Sequence, residues 1–195
     1  MLVPTEPNSI QLEIKKSRFL SFAQRIDSVD EIKGQLNTLR ALHPQANHVV
    51  HAAIVGKEGS QFSYSDDREP KNTAGRPMLE VLKGSGITNI LVMVVRYFGG
   101  TKLGTGGLVR AYSDAAKTVL QELKTEELVE KTLLTVILEY DIYEQVKKVL
   151  EELKAETEEE FGTSVTIRIN VATHLVEALK EKIINLSSSR ARFIV

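Results

Sequence analysis

Residues Ser65–Tyr112 read SDDREPKNTAGRPMLEVLKGSGITNILVMVVRYFGGTKLGTGGLVRAY. The run passes from an acidic loop through a Thr-Ala-Gly-Arg-Pro turn into a short helix. An apolar strand and a Gly-rich loop follow, and the loop leads into a second helix. Eight of the chain's twelve glycines lie inside it: Gly75, Gly84, Gly86, Gly99, Gly100, Gly104, Gly106 and Gly107. Glycine weakens regular elements and serves where backbone must adopt φ > 0 or approach another group closely. Beside Arg76, Arg96, Lys102 and Arg110, that density marks a surface made for a ligand.

Working outward, Asn89–Tyr97 is nearly all apolar and β-branched, the pattern of a central strand covered on both faces. Pro77 suits the first turn of a helix whose end Gly84 and Gly86 mark. Upstream, Ser9–Ile14 and Ser17–Ile26 read as strands separated by Lys15-Lys16. Asp27 or Ser28 can cap the helix that follows, with Glu31 in capping-box spacing from Ser28. His48–Gly56 and Gln61–Ser65 form a hairpin about a turn at Lys57-Glu58-Gly59. Downstream, residues 108–124 read as a long amphipathic helix.

A composition shift near residues 124–127 marks a boundary. Beyond it come a strand (132–140), a helix capped by Asp141, a strand (165–171), a helix (174–187) and a last strand (190–195). β structure around residues 157–161 completes β-α-β-β-α-β, the ferredoxin-like pattern. The expectation is a mixed α+β protein of two domains, 1–128 and 129–195.

A chain of 195 residues with 42% hydrophobic and 26% charged residues has ordinary globular composition. It has no cysteine, which excludes disulfides, cysteine metal ligands and a thiol nucleophile. The N-terminus lacks the features of a signal peptide, and no apolar run reaches the roughly 18 residues of a membrane span. A cytoplasmic protein without membrane contact is expected. The net charge of −1 gives no global pull toward nucleic acid. Within residues 65–112, seven basic residues against four acidic ones leave a weak local excess of three.

The Gly-rich loop GGTKLGTGG follows a strand and opens a helix, where free backbone N–H groups and the positive dipole end can cradle a phosphate. Lys102 and Arg110 are its charge partners. It matches neither GxxxxGK[ST] nor a full GxGxxG, and glycines that only permit a tight connection are the competing reading. Arg96 ends the central strand, where in open α/β sheets ligands bind. It contacts a ligand there or pairs with Asp66, Asp67 or Glu69. Those three carboxylates suit a hard cation but lack EF-hand spacing, so a solvated loop that neutralises the nearby arginines is expected. His48 and His51, three apart on a strand, point to opposite faces and do not share a metal. No GxSxG elbow exists. Tyr97 and Phe98 either stack on bases or end the core. No metal, cofactor or catalytic residue is expected.

SRFLSFA (17–23), DDREPKNTAGRPMLEVL (66–82) and VVRYFGGTKLGTGGLVRAY (94–112) resemble the YigZ/IMPACT family, and the resemblance covers about residues 17–122. It implies that the first domain has the left-handed β-α-β fold of a small-subunit ribosomal protein, of elongation factor G domain IV and of GHMP kinases. The second would be ferredoxin-like, similar to domain V of the same elongation factor. The family's eukaryotic members act in translational control under amino-acid starvation, by competing for an activator of a stress kinase. The family usually reads Asp-Gly-Glu-Pro-Ser/Ala-Gly-Thr-Ala-Gly, where this chain has Arg68 for the first glycine and Lys71-Asn72 for the Ser/Ala-Gly.

The resulting expectation is a non-enzymatic binding protein that engages RNA, the ribosome or a translation-regulating protein. Arg76, Arg96, Lys102, Arg110 and the backbone at Gly99, Gly100, Gly104, Gly106 and Gly107 would contact phosphate or acidic groups, with Tyr97 and Phe98 as stacking residues. An enzyme acting on a small phosphorylated or nucleotide ligand is the alternative, with Asp66, Asp67 and Asp114 as candidate bases. A regulator that binds only protein is the third reading. The sequence leaves the oligomeric state open.

Overall fold

The computed structural model describes residues 1–194, so Val195, the end of the expected last strand, lies outside the described residues. The chain divides into two compact units, Met1–Leu128 and Val129–Val195. No helix among the described residues is long and apolar enough to cross a membrane.

The first unit contains β1 (Leu2–Pro4), β2 (Asn8–Ile14), β3 (Ser17–Arg25), α1 (Ile32–Leu42), β4 (His48–Val55) and β5 (Gln61–Ser65). It continues with α2 (Gly75–Lys83), β6 (Ile90–Tyr97), α3 (Gly104–Gln121) and β7 (Thr125–Glu127). The capping box forms as read: Ser28 Oγ accepts from the Asp30 N–H, and Glu31 Oε1 accepts from the Ser28 N–H. Five strands pair in the order β2-β3-β6-β4-β5, all antiparallel. β6 lies at the centre and is apolar from Ile90 to Val95 because two cores need it. Ile90, Val92 and Val94 meet α2 and α3 on one face, while Leu91, Met93 and Val95 meet α1 on the other.

β3 and β4 both run antiparallel to β6, which lies between them, so α1 joins a parallel pair. β5 and β6 flank β4 in the same way, and α2 joins them. These two connections run in opposite directions across the sheet, between strand pairs of opposite sense, with their helices on opposite faces. A half-turn in the sheet plane aligns the directions but leaves the helices on opposite faces. The two crossovers therefore differ in hand, and one is left-handed against the usual right-handed rule.

The sheet corrects one expectation. Because β6 is antiparallel to both neighbours, the rule for ligand sites at the carboxyl edge of open parallel sheets does not apply to Arg96. The boundary near residue 125 is also ordered: β7 pairs with β1, Leu2 opposite Glu127 and Pro4 opposite Thr125.

The second unit contains β8 (Lys131–Leu138), α4 (Tyr140–Glu152), β9 (Glu156–Phe161), β10 (Val165–Ala172), α5 (Val176–Leu186) and β11 (Arg192–Ile194). Its strands order as β11-β8-β10-β9, the ferredoxin-like arrangement. Leu134, Val136, Ile167 and Ile169 of the sheet meet Val146 of α4 and Leu179 of α5 in its core. Asp141 does not cap α4: the N-cap is Glu139, and the Asp141 carboxylate, within the first turn, accepts from Arg190 Nη2 at 2.8 Å.

His51 is buried on the α1 face of β4, with Nε2 3.0 Å from Ser63 Oγ. Burial, with a smaller push from Arg40, overcomes the opposing pull of Asp67 and lowers its pKa to about 4. The unfolded chain then binds the extra proton as pH falls from about 6.5, so stability is full above that value and lost progressively through pH 4. Urea unfolding should weaken over that window by up to about 3 kcal/mol, and His51→Gln should flatten the dependence.

Candidate functional site

The acidic loop before α2 is built inward. Asp66 Oδ2 accepts from the Asn72 N–H at 2.7 Å, and Oδ1 accepts from the Ala74 and Gly75 N–H groups at 3.0 and 2.9 Å. It thus caps α2, whose N-cap Ala74 supplies no side-chain acceptor. Asp67 Oδ2 accepts from the Val49 N–H at 2.6 Å, and Oδ1 meets Arg40 Nη2 at 2.8 Å. Burial alone would raise the Asp67 pKa, but the Arg40 hydrogen bond, the Val49 N–H and the nearby guanidinium charges hold it below the carboxylate range.

Glu69 is buried, and its Oε1 accepts from Arg96 Nη1 at 2.6 Å and from the Tyr112 hydroxyl at 2.8 Å. His48 Nε2 lies 3.7 Å away. Burial and the Glu69 carboxylate push the Tyr112 hydroxyl pKa far up, so it stays a donor. The loop does neutralise arginines, Asp67 with Arg40 and Glu69 with Arg96, but it is turned inward rather than solvated, and its three carboxylates are each engaged with a different partner set.

Of the two roles weighed for Arg96, the geometry matches the ion pair. Its guanidinium is buried against Glu69, 5.5 Å from the Phe19 ring centroid and 5.7 Å from that of Phe98. Tyr97 turns toward α1, where its hydroxyl lies 2.8 Å from His43 Nδ1 and Arg18 stacks at 4.8 Å over its ring. Phe98 is 46% exposed, and its N–H donates to Asn47 Oδ1.

The Gly-rich segment differs from the expected loop because α3 begins at Gly104, so Gly104, Gly106 and Gly107 form its first turn. Gly104 has φ +75°, a conformation few side chains adopt. The N-cap Leu103 offers no side-chain acceptor, leaving the first-turn N–H groups open. Gly99 has a different task. A Cβ there would fall 2.0 Å from the Lys16 carbonyl carbon, and its N–H donates to Ser17 Oγ at 3.1 Å. Only glycine lets the end of β6 press against the β2–β3 turn.

That contact brings in residues the sequence reading missed. Lys15 and Lys16 occupy the turn with φ of +48° and +66°, both exposed. A cavity of about 390 Å³ between this turn and α3 is lined by Lys15, Leu103, Gly107, Arg110 and Asp114, among others. Their only sequence signal was a strand break. Lys102 and Gly100 are exposed on the approach to α3. Arg110 is 87% exposed, and its 3.7 Å contact with Asp114 is of the weak surface kind. Arg76 is exposed too, but on α2, where it faces Val109 and Lys117 of α3 across a separate groove. The structure therefore groups Lys102, Arg110 and the α3 glycines, and separates them from Arg76, Arg96 and Tyr97.

Comparison with known proteins gives a consistent picture. The Impact N-terminal domain matches residues 15–120, and a domain of unknown function, DUF1949, matches residues 136–190. An IMPACT family member of Haemophilus influenzae is 35% identical over 192 residues, covering 97% of this chain and 93% of that protein. The IMPACT family member YigZ of Escherichia coli is 43% identical over 141 residues, covering 71% of this chain and 69% of that protein. A crystal structure described only as that of a hypothetical protein is 34% identical and superposes with a TM-score of 0.78, covering 100% of this chain and 96% of that one.

Two variants test the loop. Removing a buried carboxylate strands its partner charge, so Glu69→Ala should cost about 3–5 kcal/mol in urea unfolding. Arg68 has φ +68°, at a position where the resembled family has glycine. Left-handed backbone costs a non-glycine residue about 1–2 kcal/mol, against a smaller entropic cost of glycine. Arg68→Gly should therefore raise stability by roughly 0.5–1 kcal/mol.

Proposed function

Because this chain belongs to the Impact N-terminal domain family, we propose that it is a non-enzymatic binding protein of translational control that engages the phosphate backbone of RNA, free or within the ribosome. The translational setting is that of the family's eukaryotic members. One observation carries the RNA reading. The carboxylates of the acidic loop are spent on internal partners, while Lys15, Lys16, Lys102 and Arg110 stay exposed around the open first turn of α3. Cations beside unpaired backbone N–H groups suit phosphate oxygens, which accept from both. Phe98, half exposed beside this surface in sequence, offers a ring to an unstacked base.

The enzyme reading is weakened at two of its three candidate bases. Asp66 and Asp67 are engaged by backbone N–H groups and Arg40, whereas Asp114 has only a 3.7 Å surface contact with Arg110 and no activating partner among the described residues. A general base needs a free oxygen within hydrogen-bond reach of the proton it takes.

Anisotropy titrations with labelled single-stranded RNA, duplex RNA and ribosomes at two salt concentrations test the proposal. Binding should weaken with salt. Lys102→Ala with Arg110→Ala should reduce affinity and lower the log–log salt slope on single strands by roughly 1.4, the effect of two lost phosphate contacts. Affinity and slope unchanged in a folded double variant would discard this surface. Binding confined to mononucleotides would favour an enzyme instead.

A further inference from the structure

Helix α3 presents a second exposed face that RNA binding leaves unused. Its buried stripe runs through Leu108, Tyr112, Ala115 and Val119. Gly107, Arg110 and Asp114 flank that stripe on one side, Val109, Ser113 and Leu120 flank it on the other, and Lys117 stands on the outer ridge between this groove and one lined by Glu13 and Asp114. This second flank faces α2 across a groove of about 870 Å³.

Val109, Leu120, Val81 and Pro77 give the groove an aliphatic floor, with Val109 38% exposed. From Val109 to Leu120 the wall rises about 17 Å at 1.5 Å per residue, the length of three helical turns. A channel of this form between two helices accepts the apolar face of a third, through anchors at i, i+4 and i+7. The floor holds no aromatic ring on which a base would stack, which disfavours a nucleic acid here.

Charge selects the occupant. Arg76 stands on the α2 wall and Lys117 on the α3 wall, both exposed, and neither has an ion-pair partner among the described residues. Glu80, the carboxylate lining the groove, lies 3.7 Å from Lys83. A helix entering the groove thus meets a cation on either side, and a basic helix would be repelled by both. We infer that the α2–α3 groove docks an amphipathic helix of a protein partner, one with acidic residues along both margins of its apolar face. The inference goes beyond RNA binding and does not depend on it, because Lys102 and Arg110 lie outside the groove.

The test is selection on the immobilised full chain from a display library of roughly four-turn helical peptides, leucines fixed at i, i+4 and i+7 and flanks randomised. Asp and Glu should be enriched in the flanks. Selected peptides, fluorescein-labelled, are then titrated against Arg76→Glu with Lys117→Glu, against Val109→Lys, and against Lys102→Ala with Arg110→Ala. Affinity should fall about tenfold or more in the first two and stay unchanged in the third. Peptides with lysine flanks should gain affinity for the Arg76→Glu/Lys117→Glu protein, a swap that general loss of structure cannot produce. RNA titrations should respond in the opposite pattern, so either reading can fail alone. Basic flanks among the selected peptides, no retention above the charge-reversed protein, or equal loss in the Lys102→Ala/Arg110→Ala protein overturns the inference. So does a groove that takes up a dansylated fatty acid, or a second copy of the chain, and no peptide.

Discussion

A charge taken out of water costs several kcal/mol unless a partner and further hydrogen bonds answer it. The first unit meets that condition at Glu69. Its carboxylate accepts from Arg96 at the end of the central strand and from Tyr112 in the middle of the long helix. Phe19 closes the arrangement, with its ring perpendicular to that of Tyr112 at 5.3 Å and the Arg96 guanidinium over its face. Loop, strand, helix and β3 are thereby tied at one point. Such a pair contributes little net stability against an apolar alternative, but each member forbids any arrangement that leaves the other unpaired. With Glu69 fixed, the preceding residues are placed so that Asp66 caps α2 and Asp67 binds β4 and Arg40.

The sequence disclosed elements whose causes are local. The Ser28 capping box, the strand 90–97 apolar on both faces and the β-α-β-β-α-β order of the second unit each depend on spacing within a short window. It did not disclose relations between distant segments. An apolar run says that both faces of β6 are covered, but not that its neighbours run antiparallel. The pairing of Leu2–Pro4 with Thr125–Glu127 joins two three-residue strands from opposite ends of the unit, too short to show a period.

The candidate site was legible in composition and obscure in geometry. Glycines at 99–107 marked the segment that joins β6 to α3, yet their low helix propensity hid the start of α3 at Gly104. Carboxylates usually mark solvated surface, so the inward turn of Asp66, Asp67 and Glu69 ran against the general rule. Arg96 was misleading for the same reason: one strand position decides whether a guanidinium faces solvent or a buried acid. Lys15 and Lys16 were invisible as site residues because Gly99 brings them there, and its need for a missing Cβ exists only once the two segments touch.

Charge at this surface follows from burial rather than from composition. The chain carries a net −1, and the quoted stretch an excess of only three cations. Those sums count Asp66, Asp67 and Glu69 equally with exposed groups, although each is matched internally by N–H donors or a guanidinium. What a passing ligand meets is the remainder: exposed lysines and arginines on two sides of α3, with weakly held Asp114 and Glu80 beside them. Screening over roughly 8 Å at physiological salt means that such near groups, rather than the whole-chain sum, set the local field. The buried Glu69–Arg96 pair removes one anion and one cation together, so the basic margin of this face comes from the inward hydrogen bonding of Asp66 and Asp67 and from the exposed cations left around α3.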